Sequence, residues 1–175
     1  MQENIARAQE IKLLVLDVDG VLSNGHIYID DNGIETKAFH VQDGLGIELL
    51  QAMGIIVAVI SGRNVPCVTH RIKKMGVKYL YQGHPEKLPI FQTLLNELSL
   101  KPEQVACIGD DLVDIPLFQR AGLSITVQNA NEAIFPYVHW ITNANGGKGA
   151  VREVCEFLLK AQNKWENAIS KYISI

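Results

Sequence analysis

The sequence predicts an α/β protein built on a doubly wound parallel sheet, with one β-hairpin insertion. Three observations carry that expectation. Short, continuous apolar runs of strand length recur along the chain, as at 11–16, 55–60 and 105–108. Such runs read as strands buried on both faces, the condition of a parallel sheet. Stretches of helical periodicity separate them, and strand–helix alternation is the pattern of crossover units. One stretch alone breaks the alternation, between the first strand and the first long helix.

Residues 1–10 form a polar lead-in with the makings of a helical turn. Residues 11–25, IKLLVLDVDGVLSNG, hold the first strand, which runs out into Asp17, Asp19 and Gly20. The next segment, HIYIDDNGIETKAFHV, alternates apolar and polar residues on both sides of Asn32-Gly33. That is a hairpin pattern with a tight turn, and the insertion takes in about 25–41. Residues 42–53 follow with helical periodicity, with Asp43 placed as N-cap and Gly54 just past the end. A strand at 55–60 stops at Ser61-Gly62-Arg63, a helix over 65–75 ends at Gly76, and 77–81 forms a third strand. Residues 85–98 are an amphipathic helix with Lys87 near its start, and Pro89 fits its early turn. The strand at 105–108 ends in Gly109-Asp110-Asp111, with Asp114 shortly after. A short helix to Gly122, strands at 123–127 and 139–142 and a helical turn near 131–135 complete the alternation. A glycine-rich loop, ANGGKGA at 144–150, leads into a terminal amphipathic helix running from about 150 to 170.

The chain has 175 residues, 47% hydrophobic and 20% charged, which suits one globular domain over 1–175 and excludes a disordered chain. A formal net charge of −3 without a Lys/Arg block argues against a nucleic-acid binder. An anionic small substrate stays compatible, because a few local cations and a metal override a weak global field. Cys67, Cys107 and Cys155 have no C-x-x-C spacing, which points to buried thiols in a reducing cytoplasm rather than a disulfide or zinc frame. The opening MQENIARAQEIK lacks a signal-like apolar core and no run reaches membrane-spanning length, so a soluble cytoplasmic protein with no membrane partner is expected.

In open parallel sheets, sites form outside the carboxyl ends of the strands. Asp17 and Asp19 end strand one, Ser61-Gly62-Arg63 follow the second sheet strand, Lys87 opens the helix after the third, and Asp110-Asp111 end the fourth. Singly, each has an ordinary explanation as a turn or a solvated charge. Turn chemistry does not readily place all of them at one sheet edge. Together they suit phosphoryl transfer, which needs a nucleophile, countercharge on the phosphoryl oxygens and a proton for the leaving oxygen. Asp17 is the natural nucleophile and Asp19 the acid/base partner. Asp17, the backbone carbonyl of Asp19 and Asp110 would hold Mg²⁺, with Asp111 and Asp114 supporting them. Ser61, Gly62 and Lys87 would grip the non-reacting oxygens. His26, His70 and His139 show no ligand spacing and read as structural.

The set D-V-D-G, hydrophobic-S-G-R, a following Lys and G-D-D-x-x-D resembles the four motifs of the haloacid dehalogenase superfamily, over nearly the whole chain. FHVQDGLGIELL and GGKGAVREVCEFLLKAQ are similar, more narrowly, to its cap-less sugar-acid phosphatases. The resemblance implies a Rossmann-like fold with the hairpin in place of a cap domain, Mg²⁺, and a homotetramer. It implies hydrolysis of a phosphorylated keto-sugar acid, 3-deoxy-D-manno-octulosonate 8-phosphate, in lipopolysaccharide precursor biosynthesis. It places Asp19, His40, Val41, Gln42, Asp43 and Gly44 against the sugar, with Arg63 and Arg71 as anion-binding candidates. Gln42 and Glu48 stand where the family commonly carries basic residues. The alternatives are a phosphatase for a nonulosonate 9-phosphate, or a non-catalytic oligomerisation module. The intact Asp17, Asp19, Lys87 and Asp110 speak against the module. A hairpin this small cannot seal a site from water by itself. A neighbouring subunit's hairpin, or the 145–150 segment with the terminal helix, is expected to cover the sugar. Ile27, Ile29, Ile34 and Phe39 are the apolar ribbon expected between subunits.

Overall fold

The computed structural model describes residues 2–173. The chain opens with α1 (Gln2–Gln9) and β1 (Leu13–Leu16), then a hairpin of β2 (Tyr28–Ile29) and β3 (Glu35–Thr36). It continues through α2 (Val41–Ala52), β4 (Ile56–Ile60), α3 (Pro66–Lys74), β5 (Tyr79–Tyr81) and α4 (Lys87–Leu98). The second half runs β6 (Val105–Gly109), α5 (Ile115–Phe118), β7 (Leu123–Thr126), β8 (Trp140–Ile141), α6 (Ala150–Ala161) and α7 (Trp165–Ile173). Six strands form one sheet in the order β5-β4-β1-β6-β7-β8, and every pairing is parallel. The predicted doubly wound α/β fold is therefore present.

Side chains alternate across a strand, so each central strand feeds two cores. Leu14 and Leu16 of β1 join Val57 and Val59 of β4 against α2, α3 and α6. Leu13 and Val15 join Ala58 and Ile60 against α4 and α5. All four β1 residues are buried, which is why that run shows no polar alternation. The winding reverses between β4 and β6, on either side of β1, and the crevice at their carboxyl ends is where such sheets bind ligands. The Asp17 N–H donates to the Ile108 carbonyl at 3.0 Å, carrying the β1–β6 ladder to the brink of that crevice.

Three local expectations are corrected. Asp43 does not cap its own helix: His40 takes the N-cap position of α2, and Asp43 lies in the first turn, 1% exposed. Its carboxylate instead accepts the Arg152 N–H at 2.8 Å, capping α6 from across the helix pair. The terminal helix is two helices, broken at Asn163 with φ +54°. The break lets the Gln162 side-chain amide reach the Ala8 and Ile11 carbonyls at 2.9 and 2.7 Å, satisfying the end of α1. The expected hairpin is present, with a ladder of two residues per strand. Its turn spans Asp31–Gly33, with Asp30 Oδ1 accepting from the Asn32 and Ile34 N–H groups. Finally, Phe39 leaves the expected apolar ribbon, bridging to Ser23 and packing on the chain's own core, while Ile27, Ile29 and Ile34 stay exposed.

The glycine-rich loop is anchored within its own chain rather than free to fold over a site. The Gly147 N–H donates to the Val21 carbonyl at 2.8 Å, and the Gly146 N–H to Asn129 Oδ1 at 2.8 Å. A Cβ on Gly146 would lie 1.5 Å from the Gly20 carbonyl oxygen. Gly146→Ala must therefore push the Asp17–Ser23 loop aside. It is expected to cost about 2 kcal/mol or more, the upper range for overpacking, read as a lowered urea midpoint.

Candidate active site

The site is built on three loops at the carboxyl edge of the sheet. After β1, a wide turn over Val18–Leu22 carries Asp17 and Asp19, with Gly20 at φ +83°. A Cβ on Gly20 would meet Asp110 Oδ2 at 1.9 Å, so this glycine serves the approach of a second carboxylate as well as the turn. After β6, Asp114 organises its loop: its Oδ2 accepts the Asp110 and Asp111 N–H groups at 3.0 and 3.3 Å. Asp111 caps the following turn through the Leu112 N–H.

Lys87 is the first residue of α4 and 3% exposed. Its ammonium lies 2.7 Å from both Asp17 Oδ1 and Asp114 Oδ1. Burial alone would lower its pKa, but the two carboxylates more than offset that and raise it. Burial, reinforced by Asp114 and opposed by Lys87, pushes Asp17 up to about 6. Burial with Asp17 and Asp114 nearby pushes Asp110 up to about 8.

One oxygen each of Asp17, Asp110 and Asp114 lies within 4.8 Å of the others. Three carboxylates facing one ammonium leave negative charge to be neutralised, and hard oxygen ligands at this spacing suit a small divalent cation. Both Asp114 oxygens are committed within the chain, so Asp17 and Asp110 are the carboxylates free to hold it. The Asp19 carboxylate stays out of this cluster. It bonds instead to Lys37 Nζ at 2.5 Å.

A cavity of about 410 Å³ opens over these groups. Asp17, Asp19, Ser61, Gly62, Arg63, Lys87, Asp110 and Asp111 line it, with Asp114 beneath. Ser61 is 2% exposed, held by its N–H to the Tyr81 carbonyl, and its Oγ accepts the Arg63 N–H at 3.3 Å. The Arg63 guanidinium turns to Glu35 of the hairpin. The predicted sugar-contacting segment is not brought to this cavity within one chain. Val41 and Gln42 project outward at the start of α2, and Asp43 is buried with its pKa raised by burial. Arg71 packs over Gly44, its Nη2 reaching the His40 carbonyl at 3.5 Å.

The sequence reading missed Lys37 and Glu35. In a hairpin pattern both pass as outward polar residues, yet Lys37's side chain is wholly shielded and bridges Asp19 and Glu35. The available signal was their i, i+2 spacing, which puts opposite charges on one face of the ribbon.

Residues 80–154 match the family model of haloacid dehalogenase-like hydrolases. The 3-deoxy-D-manno-octulosonate 8-phosphate phosphatase KdsC of Escherichia coli K12 is 48% identical over 94% of this chain and 87% of its own. The chain belongs to the KdsC family. A probable YrbI family phosphatase from Pseudomonas syringae superposes with a TM-score of 0.98 at 45% identity, covering 100% of this chain and 99% of its own. The Moraxella catarrhalis KdsC-type phosphatase, solved with magnesium, phosphate and KDO, superposes with a TM-score of 0.96 at 44% identity, over 98% of this chain and 99% of its own. This chain is a haloacid dehalogenase-like hydrolase with an α/β fold, and no cap domain is present among the described residues.

Replacing Lys87 by Met removes the cation and leaves Asp17 and Asp114 buried against each other. Lys87→Met is expected to lose about 3 kcal/mol, as when one partner of a buried ion pair is deleted, measured by urea unfolding in chelator. Adding Asp114→Asn should recover part of that loss.

Proposed function

We propose that this chain hydrolyses 3-deoxy-D-manno-octulosonate 8-phosphate to the free sugar acid and phosphate, a step of lipopolysaccharide precursor biosynthesis. The observation that carries the reading is the buried Lys87 bridging Asp17 and Asp114 beside Asp110, at the switch point of the sheet. The 48% identity to a phosphatase of that name supports the substrate. Gln42 and Glu48, both exposed on α2, are the departures that make a nonulosonate 9-phosphate the proper comparator.

Asp17 attacks phosphorus, forming an aspartyl-phosphate as the bond from phosphorus to the sugar oxygen breaks. Asp19 gives that oxygen its proton, then takes one from the water that attacks phosphorus and frees Asp17 and phosphate. Ser61, the Gly62 amide and Lys87 hold the other phosphoryl oxygens. Asp17, the Asp19 carbonyl and Asp110 would hold Mg²⁺, which when bound would neutralise charge on the transferring group. Asp111 and Asp114 orient them. Asp17→Asn keeps the shape but removes the nucleophile, and should leave a folded protein without turnover. Asp19→Asn should lose ~10²–10⁴-fold. Chelator should abolish phosphate release and Mg²⁺ restore it. In a phosphate-release panel the octulosonate 8-phosphate should exceed the nonulosonate 9-phosphate; the reverse order would overturn the substrate assignment.

The proposal extends to a cytoplasmic homotetramer. No helix among the described residues is long and apolar enough to cross a membrane, and the three cysteines are free thiols. His40–Gly44 and Arg71 lie off the cavity of their own chain, and Ile27, Ile29 and Ile34 are 48, 65 and 59% exposed on the hairpin. Packing hairpins about a symmetry axis buries that ribbon and lets one chain complete another's sugar site. Deleting residues 27–38 should therefore dissolve the assembly in light scattering and abolish sugar discrimination. A fully active monomer at assay concentration would rule the tetramer out.

A further inference from the structure

The hairpin base carries a line of alternating charge that ends on Asp19, and the proposed reaction gives its hairpin members, Lys37 and Glu35, no part. Asp19 Oδ1 meets Lys37 Nζ at 2.5 Å, Lys37 meets Glu35 Oε1 at 2.7 Å, and Glu35 Oε2 meets Arg63 Nη2 at 2.5 Å. It joins the loop after β1, the hairpin and the loop after β4, and its two end members, Asp19 and Arg63, line the cavity. Lys37's side chain has no exposure to solvent, although its neighbours Thr36 and Ala38 are exposed. Burying an ammonium is costly unless it is paired, and holding a lysine straight sacrifices rotamer freedom. A surface staple for a two-residue ladder needs no such burial, since exposed ion pairs serve there at little cost.

The position of the contact explains it better. Asp19 sits at φ −77° and ψ 120° on a turn whose next residue, Gly20, has a positive φ, and its side chain is 27% exposed. Among the described residues, Lys37 is the hydrogen-bond partner of that carboxylate, on Oδ1 alone. Oδ2 has no hydrogen-bond partner among the described residues, and Asp19 lines the cavity. A group that must hand a proton to a leaving oxygen has to be held to a fraction of an ångström, and a displacement of about 1 Å can cost ~10²-fold.

We infer that Lys37 is a positioning residue for Asp19: it clamps Oδ1 so that Oδ2 meets the leaving oxygen. The inference rests on Asp19 being the proton donor of the proposed phosphatase. It makes the hairpin part of the proton-transfer apparatus of its own chain.

Leaving-group dependence separates this role from a structural one. An alkyl phosphate needs its leaving oxygen protonated, whereas 4-nitrophenolate departs without help. The comparison is made on kcat/KM, which ends at leaving-group departure, for the sugar-acid 8-phosphate and for 4-nitrophenyl phosphate. Lys37→Met should lower the first by ~10²-fold and the second by less than ~3-fold. Lys37→Arg, which keeps the charge, should restore most of the loss. Glu35→Gln severs the hairpin from Arg63 but spares the Lys37–Asp19 contact, so it should move both esters together. Should Lys37→Met fail to fold, Lys37→Gln carries the same comparison. Equal losses on both esters, or no loss on either, would overturn the positioning role. A wild-type enzyme that cleaves neither ester would overturn the phosphatase reading, and this inference with it.

Discussion

The site and the fold share one constraint, the shielding of the Lys87 ammonium. At 3% exposure that charge is tolerable only because Asp17 and Asp114 each approach to 2.7 Å. The three residues come from the end of β1, the start of α4 and the turn after β6, so the pairing forms only when all three loops are in place. Asp114 then spends its second oxygen on the Asp110 and Asp111 amides, which fixes where the Asp110 carboxylate stands. Misplacing any of these loops strands a buried charge. Assembling the sheet edge and assembling the candidate site are thus one event.

Backbone contact does for the outer wall what charge does for the floor. Gly20 admits Asp110, while Gly146 lies against the Gly20 carbonyl from the opposite side. The glycine-rich loop is held in turn by α6, whose first turn is capped by Asp43 of α2. A carboxylate that passes for a sugar ligand in the sequence is therefore also a support, two contacts removed, for the catalytic turn. That arrangement links the helix layer to the site without any residue of α6 entering the cavity.

The hairpin has two unlike ends. Its tip is apolar and exposed at Ile29 and Ile34, whereas its base is ionic and shielded around Lys37. With no cap domain among the described residues, the base ties the insertion to the turn of its own chain that carries Asp19, and the tip stays exposed. The two roles proposed for this small element, positioning Asp19 and packing between subunits, therefore fall at opposite ends of it.

The sequence by itself determined the α/β class, the order of strands and helices along the chain and the charged and polar residues that line the cavity at the sheet edge. These were legible because a parallel sheet puts every strand's carboxyl end at one edge, so apolar runs ending in Asp17/Asp19, Ser61-Gly62 and Asp110 locate the site by pattern alone. Tertiary structure alone decided the rest. Asp43 caps another helix rather than its own, Asn163 breaks an amphipathic pattern that continues unbroken through it, and Lys37 turns inward from a ribbon that reads as polar-out. In each case the partner is distant in the chain: Arg152 for Asp43, Ala8 and Ile11 for Gln162, Asp19 for Lys37. Local periodicity says which face of an element is apolar; it does not say which buried polar group will be waiting across the fold.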